Sequence, residues 1–244
     1  MDKKILLRSN LAKIMVEIIG QIDQVTQLHS IPESSVKLDG TPVTLLDLAL
    51  SNLLEKMSKQ YFPDVTFYSE ENYTTLDFPL LAIDPLDGTR EYIKNRPEWA
   101  ISIGLFASQN FVGEGWVYNP VKKELFNSEI SCVAHVDKPE YYGEVSHSEW
   151  DKGLFKLFIS ERFKLKPMGS IAYKLGRLAA GKLDFVVSLA PKNIWDIAGG
   201  TLLCHQSDIK FYSQGKEVLE VKQQYLPPLI WCREELFEEL SSLL

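Results

Sequence analysis

The stretch Leu81-Ala82-Ile83-Asp84-Pro85-Leu86-Asp87-Gly88-Thr89-Arg90-Glu91-Tyr92 constrains this chain more than any other. Its apolar run from Leu80 to Ile83 suits a buried strand, which delivers two carboxylates three residues apart into a Pro/Gly turn before a short helical segment. Asp84 and Asp87 offer hard oxygen ligands for a cation, and the backbone N–H groups of Gly88 and Thr89, opening the helix, can point at an anion. Taken alone, Asp-Pro and Asp-Gly are equally at home in an ordinary solvated turn. The rest of the chain decides between the two.

Charge and cysteine usage remove several function classes. With 26 basic against 33 acidic residues, net charge −7, the 244-residue chain lacks the global basic field that recruits nucleic acid or an anionic membrane surface. An anionic substrate therefore needs local help, which bound cations supply. Cys132, Cys204 and Cys232 are odd in number and widely spaced, without a Cys-x-x-Cys pair, so neither a disulfide framework nor a zinc ribbon is indicated and a reducing, cytoplasmic setting is expected. The N-terminus shows no signal-peptide pattern, and no segment has the apolar length to span a bilayer.

Periodicity orders the remainder. Leu7, Leu11, Ile14, Ile18, Ile22 and Val25 predict a long amphipathic helix ending near His29. Thr44 with Asp47 resembles a capping box opening a second helix, Leu45 to Tyr61, with Leu46, Ala49, Leu50, Leu53, Leu54 and Met57 buried. Val65 to Tyr68 reads as a strand that delivers Glu70 and Glu71 at its end, where neighbouring strand ends converge. Strands are expected at Ala100 to Ala107, Phe111 to Tyr118 and Glu124 to Phe126, and the polar stretch His135 to Glu144 reads as a boundary between halves 1–134 and 145–244. Beyond it, a helix is expected over Trp150 to Phe158, one opened by Gly169-Ser170, a strand over Leu183 to Leu189, a helix from Asn193 through Leu203 with Asp196 in its first turn, a strand over Ile209 to Tyr212, and a last helix from Glu234 to Leu243.

Glu70, Asp84, Asp87 and Asp196 thus form a set of acids at strand ends or helix starts. His29, His135, His147 and His205 have no metal-type spacing. An all-oxygen donor set selects Mg²⁺ or Mn²⁺.

Several separated motifs, in order, resemble the inositol monophosphatase family of magnesium-dependent, lithium-sensitive phosphatases. They are Lys37, Asp39-Gly40, Pro42-Val43-Thr44, Asp47, Glu70-Glu71, Asp84-Pro85-Leu86-Asp87-Gly88-Thr89, Gly169-Ser170, and Trp195-Asp196 with Ala198-Gly199-Gly200. The chain departs from the family pattern at Ser69, where a Gly is usual, and at His205-Gln206-Ser207-Asp208. The resemblance implies an α/β (α+β) fold, a layered α-β-α-β-α sandwich. It also implies that Glu70, Asp84 and the Leu86 carbonyl hold one Mg²⁺, that Asp84, Asp87 and Asp196 hold a second, and that a third ion shares Glu70. Gly88, Thr89, Gly169, Ser170 and Lys192 would then meet substrate phosphate. Thr89, backed by Asp47, would take the proton of an attacking water.

The implied substrate is a small phosphorylated metabolite, and the implied protein a monomer or homodimer. The wording Thr89 to Lys94 and Pro191 to Asp196 is most similar to the 3′(2′),5′-bisphosphate nucleotidases, while Val145-Ser146-His147-Ser148 matches their Ser-Arg-Ser-His motif only in part. The inositol-specific enzymes place a hydroxyl-binding Glu where this chain has Leu189, which carries no side-chain acceptor. Adenosine 3′,5′-bisphosphate is therefore the expected substrate, with an inositol or sugar phosphate as the alternative and a regulatory or binding protein on the same scaffold as the alternative of another class.

Overall fold

The computed structural model describes residues 3–29, 32, 34–36, 42–70, 72, 75–129, 137–158 and 160–244, with side chains from residue 11 onward. Lys37, Asp39-Gly40, Glu71, Cys132 and His135, singled out in the sequence, lie outside the described residues, as does the side chain of Leu7.

The chain opens with α1 (Lys3–Leu28), which buries Met15, Ile18 and Ile22 at the predicted helical spacing. A short pair, β1 (Ser34–Val36) and β2 (Pro42–Thr44), leads into α2 (Leu45–Tyr61). There the capping box is present: Asp47 N–H donates to Thr44 Oγ1, and the Asp47 carboxylate accepts from Thr44 N–H at 2.8 Å. Next come β3 (Thr66–Ser69), β4 (Leu80–Asp87), α3 (Thr89–Ile93), β5 (Ala100–Phe106), β6 (Gly113–Asn119) and β7 (Glu124–Asn127). These strands form one sheet in chain order, parallel only between β3 and β4.

After β8 (Tyr141–Val145), α4 (His147–Asp151), β9 (Phe163–Pro167), α5 (Ile171–Ala179) and β10 (Phe185–Ser188), a small strand β11 (Lys192–Asn193) leads into α6 (Ile194–Gln206). The chain closes with β12 (Lys210–Ser213), β13 (Lys216–Glu217), β14 (Gln224–Tyr225), β15 (Leu229–Cys232) and α7 (Glu234–Ser242). The second sheet runs β13-β12-β15-β10-β8-β9, with parallel pairing of β10, β8 and β9, and β11 pairs separately with β14.

Strand alternation sets the layers. On β4, Leu81 and Ile83 face α1 and α2, while Leu80 and Ala82 face α5 and α6. On the second sheet, Val186, Leu229 and Trp231 face the same two helices, while Phe185, Val187 and Ile230 pack outward on α7 and Phe155. The result is the expected five-layer α-β-α-β-α sandwich, with α5 and α6 as its middle layer. Among the described residues no helix is long and apolar enough to cross a membrane.

Three local expectations fail for physical reasons. The helix expected over Trp150 to Phe158 instead occupies His147–Asp151, because Ser146 and Glu149 form a capping box that starts it early and Gly153, at φ +70°, lies just past its end. Tyr141 to Glu144, read as boundary, is strand β8; its fully buried Glu144 is neutralised by Arg177 at 3.0 Å and Lys166 at 3.2 Å. Phe111 lies before β6, in a left-handed conformation that belongs to the turn.

Close approach in the middle layer positions α6. A Cβ on Gly199 would stand 2.4 Å from the Trp116 carbonyl oxygen and 2.8 Å from that of Ile103, so only glycine lets the helix lie on β5 and β6. Gly199 N–H also donates to Ser102 Oγ at 3.2 Å. Gly199→Ala is accordingly expected to lose about 1–3 kcal/mol of stability in urea denaturation, and an unchanged midpoint would mean that α6 rides higher on the sheet.

Candidate active site

Two carboxylates three residues apart on a regular strand point to opposite faces. On β4 they do not. Asp84 pairs with Ser102 and Asp87 with Ala100, so three steps along β4 match two along β5, and the bulge at Pro85-Leu86 brings both acids to one side. Ser69 pairs with Ile83 in the parallel β3–β4 ladder, which puts Glu70, the next residue, beside Asp84. Asp196 arrives from the other direction. It lies one helical turn before Gly199, whose N–H bonds Ser102, the strand partner of Asp84. Four residues from three regions of the sequence meet in this way.

Asp84 and Asp196 are held by backbone amides close in sequence, and Asp87 by the start of α5. Asp84 Oδ1 accepts Leu86 N–H at 2.9 Å, and Asp196 Oδ2 accepts Asn193 N–H at 2.9 Å. Asp87 Oδ2 accepts both Ser170 Oγ and Ala172 N–H at 2.6 Å, fastening the start of α5 to the end of β4. Ser170 is thus engaged with a carboxylate, and the Gly169 N–H donates to Glu98 Oε2 at 2.9 Å. Both residues expected to meet phosphate reach the cleft through these bonds.

Gly88 takes φ +102° as the residue that turns β4 into α3, a conformation that favours glycine. It sets Thr89 at the start of α3, where Thr89 Oγ1 lies 3.2 Å from Asp47 Oδ1 and 3.3 Å from the Leu86 carbonyl. Asp47 uses both carboxylate oxygens at once: Oδ2 caps α2 through Thr44, and Oδ1 accepts from Thr89.

Electrostatics test whether this set suits a cation. Burial, and then repulsion from Asp87, Asp196 and Glu70, holds the Asp84 carboxyl well above the usual range. Asp196 is pushed up to about 7 by burial and by Asp87, against the opposing pull of Lys192. Burial also raises Asp87, against its bonds from Ser170 and Ala172. Among the described residues no three of these side chains already stand at the spacing of a closed ligand cage, so binding requires the carboxylates to draw inward. The donors are all carboxylate or carbonyl oxygens, and a divalent cation would offset the burial that raises the three aspartates and the repulsion that adds to it at Asp84 and Asp196. Mg²⁺ or Mn²⁺ fits this set better than zinc.

The family profile of the inositol monophosphatases matches residues 6–207. The chain belongs to the inositol monophosphatase family. It is a phosphatase, a hydrolase of phosphate monoesters. Inositol monophosphatase 3 of Solanum lycopersicum is 31% identical over 192 residues, 68% of this chain and 70% of that one. A 3′(2′),5′-bisphosphate nucleotidase of Buchnera aphidicola is 28% identical over 186 residues, 68% and 69% of the two chains. Among solved structures, a Thermotoga maritima IMPase shares the fold at TM-score 0.79 and 20% identity over 96% of both chains. An IMPase/NADP phosphatase solved with Mg²⁺ and phosphate does so at TM-score 0.76 and 19% identity, over 97% of this chain and 95% of that one.

In this family member Asp87 and Asp196 line a cleft of about 200 Å³ with Gly88, Ser146, His147, Lys174 and Lys192. Lys174 is only 2% exposed; burial lowers its ammonium pKa to about 8, and its Nζ donates to the Met168 carbonyl at 3.0 Å. The sequence gives little sign of this, because a lysine between Tyr173 and Leu175 reads as an ordinary solvated charge. Glu98 and Glu149 were missed outright. Glu98 Oε2 stands 2.7 Å from His147 Nε2, a pairing across 49 residues that no local motif announces.

The raised carboxylates fix the sign of a pH effect. Asp196 binds its proton more tightly folded than unfolded, so without divalent cation stability should fall as pH rises from about 4 to about 7. Added Mg²⁺ should raise the Tm at pH 7.5. Asp84→Asn should be more stable than wild type without metal and should lose most of the Mg²⁺-induced shift, as thermal unfolding with and without the ion reads directly. An intact shift in that variant would remove Asp84 from the cation site.

Proposed function

We propose that this phosphatase is Mg²⁺-dependent and cleaves adenosine 3′,5′-bisphosphate in preference to inositol 1-phosphate. The observation that carries the reading is that Asp84 interacts electrostatically with Glu70, Asp87 and Asp196, that Thr89 bonds Asp47 next to this cluster, and that Asp87 and Asp196 line a cleft together with Lys174 and Lys192. Glu70, Asp84, Asp87, Asp196 and the Leu86 carbonyl would hold two Mg²⁺, with Glu70 shared by a third, and Mn²⁺ can substitute. When bound, the ions lower the pKa of a water and neutralise charge on the phosphoryl oxygens.

The chain's own residues do the rest. Thr89 Oγ1 accepts a proton from the attacking water as it releases its own to Asp47 Oδ1, since an unassisted hydroxyl is a poor base. Thr44 keeps Asp47 oriented by occupying the other carboxylate oxygen. The amides of Gly88 and Thr89 face the phosphoryl group at the β4–α3 turn. Ser170 holds Asp87, and Gly169 leaves room for Glu91, whose Cγ would lie 2.3 Å from a Cβ there. Lys192 and Lys174 supply positive charge for a second phosphate. The halves 1–134 and 145–244 each contribute ligands, in a cytoplasmic monomer or homodimer whose buried thiols Cys204 and Cys232 stay reduced.

Leu189 supports a nucleotide over an inositol ring. Its side chain packs on the outer core, so that position provides no acceptor for ring hydroxyls. A second reading, an inositol-1-phosphate phosphatase, draws support from the 30% and 31% identities to two tomato inositol monophosphatases, slightly above the 28% to the nucleotidase.

In phosphate-release assays with Mg²⁺, adenosine 3′,5′-bisphosphate should show at least about tenfold higher kcat/KM than inositol 1-phosphate. The reverse order would make the second reading the better one. Thr89→Ala and Asp47→Asn should each lower kcat by about a hundredfold or more, with the double variant little worse than either. Multiplicative losses would leave Asp47 as a helix cap alone.

A further inference from the structure

Glu149 is 4% exposed, lines the cleft, and has no part in the proposed cation site or the Thr89–Asp47 pair. Its hydrogen bonds are unusually complete. Oε1 accepts Leu189 N–H at 2.5 Å and Ser188 Oγ at 3.1 Å, while Oε2 accepts Ser146 Oγ at 2.5 Å and Ser146 N–H at 3.3 Å. A carboxylate has about four lone-pair positions, and four protein donor contacts surround them, the Ser188 hydroxyl sharing its one hydrogen with the Ala190 carbonyl, which leaves little room for a substrate hydroxyl. Glu149 therefore works through what it holds.

It joins the helix turn that carries it to a piece of chain 39 to 40 residues further on. One is the first turn of α4, where His147 is fixed from the opposite side by Glu98, itself bonded to Gly169 N–H. The other is the exit of β10, which runs through Ser188, Leu189 and Ala190 to Lys192 and the start of α6. Ser188 Oγ also lies 3.2 Å from the Ala190 carbonyl, so the clamp extends into that connection. The wall built from Ser146, His147 and Ser188 lines the same cleft as Asp87, Gly88 and Asp196. With the reacting phosphate at the acids, the alcohol part of the ester extends toward this wall.

We propose that Glu149 is a positioning residue that sets substrate specificity, by clamping α4 to the exit of β10 and so fixing the wall that receives the alcohol part of the ester. The role also accounts for Leu189: its backbone N–H is fastened to Glu149 while its side chain packs on the outer core. The inference rests on the phosphatase reaction and not on which ester is preferred.

The test uses the full chain at saturating Mg²⁺, with adenosine 3′,5′-bisphosphate and inositol 1-phosphate as probes. Glu149→Gln puts an amide donor against backbone and hydroxyl donors, so one side of the clamp opens. KM for the better wild-type substrate should rise about tenfold, kcat should stay within about threefold, and the ratio of the two kcat/KM values should change by about tenfold. The Mg²⁺-induced Tm shift should persist, and Glu149→Asp, which presents acceptors only, should recover part of the ratio. Ser146→Ala loosens the same clamp more gently, and it carries the test if Glu149→Gln does not fold. Equal losses for both substrates, a fall in kcat at constant KM, or an unchanged ratio in Ser146→Ala would each overturn the proposal. A wild type that prefers inositol 1-phosphate would overturn the nucleotide reading alone, because the ratio test is indifferent to its direction.

Discussion

Burial of Asp84, Asp87 and Asp196 beside one another is the constraint on which the rest of this structure turns. Taking these carboxyls out of water costs free energy and raises all three, and at Asp84 and Asp196 repulsion from neighbouring acids raises them further. A chain would not be expected to keep such an arrangement for stability, since burying a charge is favourable only when it is paired. Specific local features bring the acids together in spite of that cost. The β4 bulge turns two acids to one side, and Gly199 lets α6 settle on β5 and β6 so that Asp196 reaches them. The core therefore holds a cluster of acids whose ionisation burial opposes.

Dual use of single carboxylates ties this site to its scaffold. Asp47 caps α2 with one oxygen and meets Thr89 with the other, so the helix that supports the first sheet also orients the hydroxyl beside the acids. Asp87 fastens the start of α5 with Oδ2. A helix start and a site carboxylate are thereby one object, and loosening either disturbs both. Glu149 follows the same logic farther along the cleft, joining α4 to β10 with four hydrogen bonds from a single side chain. Charge-assisted bonds of this kind are short and directional, which suits them to fixing geometry.

What the sequence discloses follows from the range of each interaction. Thr44 and Asp47 are three residues apart, and their capping box is legible because it is local. The stripes of α1 and α2 and the alternation of β4 are legible for the same reason, through periodicity. The strand-turn-helix around Asp84 and Asp87 is legible in the sequence, yet the bulge that makes the two acids face together appears only in the register with β5. Lys174 looks like surface charge and is buried, because α5 is enclosed by both sheets. Glu98, His147 and Glu149 depend on pairings across 39 to 49 residues, and Glu144 is a buried acid whose partners Lys166 and Arg177 lie on other elements. Family resemblance reached the four acids through motif wording. It does not reach Glu98, His147 or Glu149, whose partners lie on other elements.

The central claim is that the four-acid cluster is a divalent-cation site. Crystals of the wild-type protein soaked in MnCl₂ and measured at the manganese absorption edge test it most directly, because manganese substitutes for magnesium at oxygen ligands and its anomalous signal locates the ion without reference to activity. The account predicts two anomalous peaks between the carboxylates, both contacted by Asp84, with Asp87 and Asp196 at one and Glu70 at the other. Peaks confined to surface carboxylates, with none at Asp84, would contradict it.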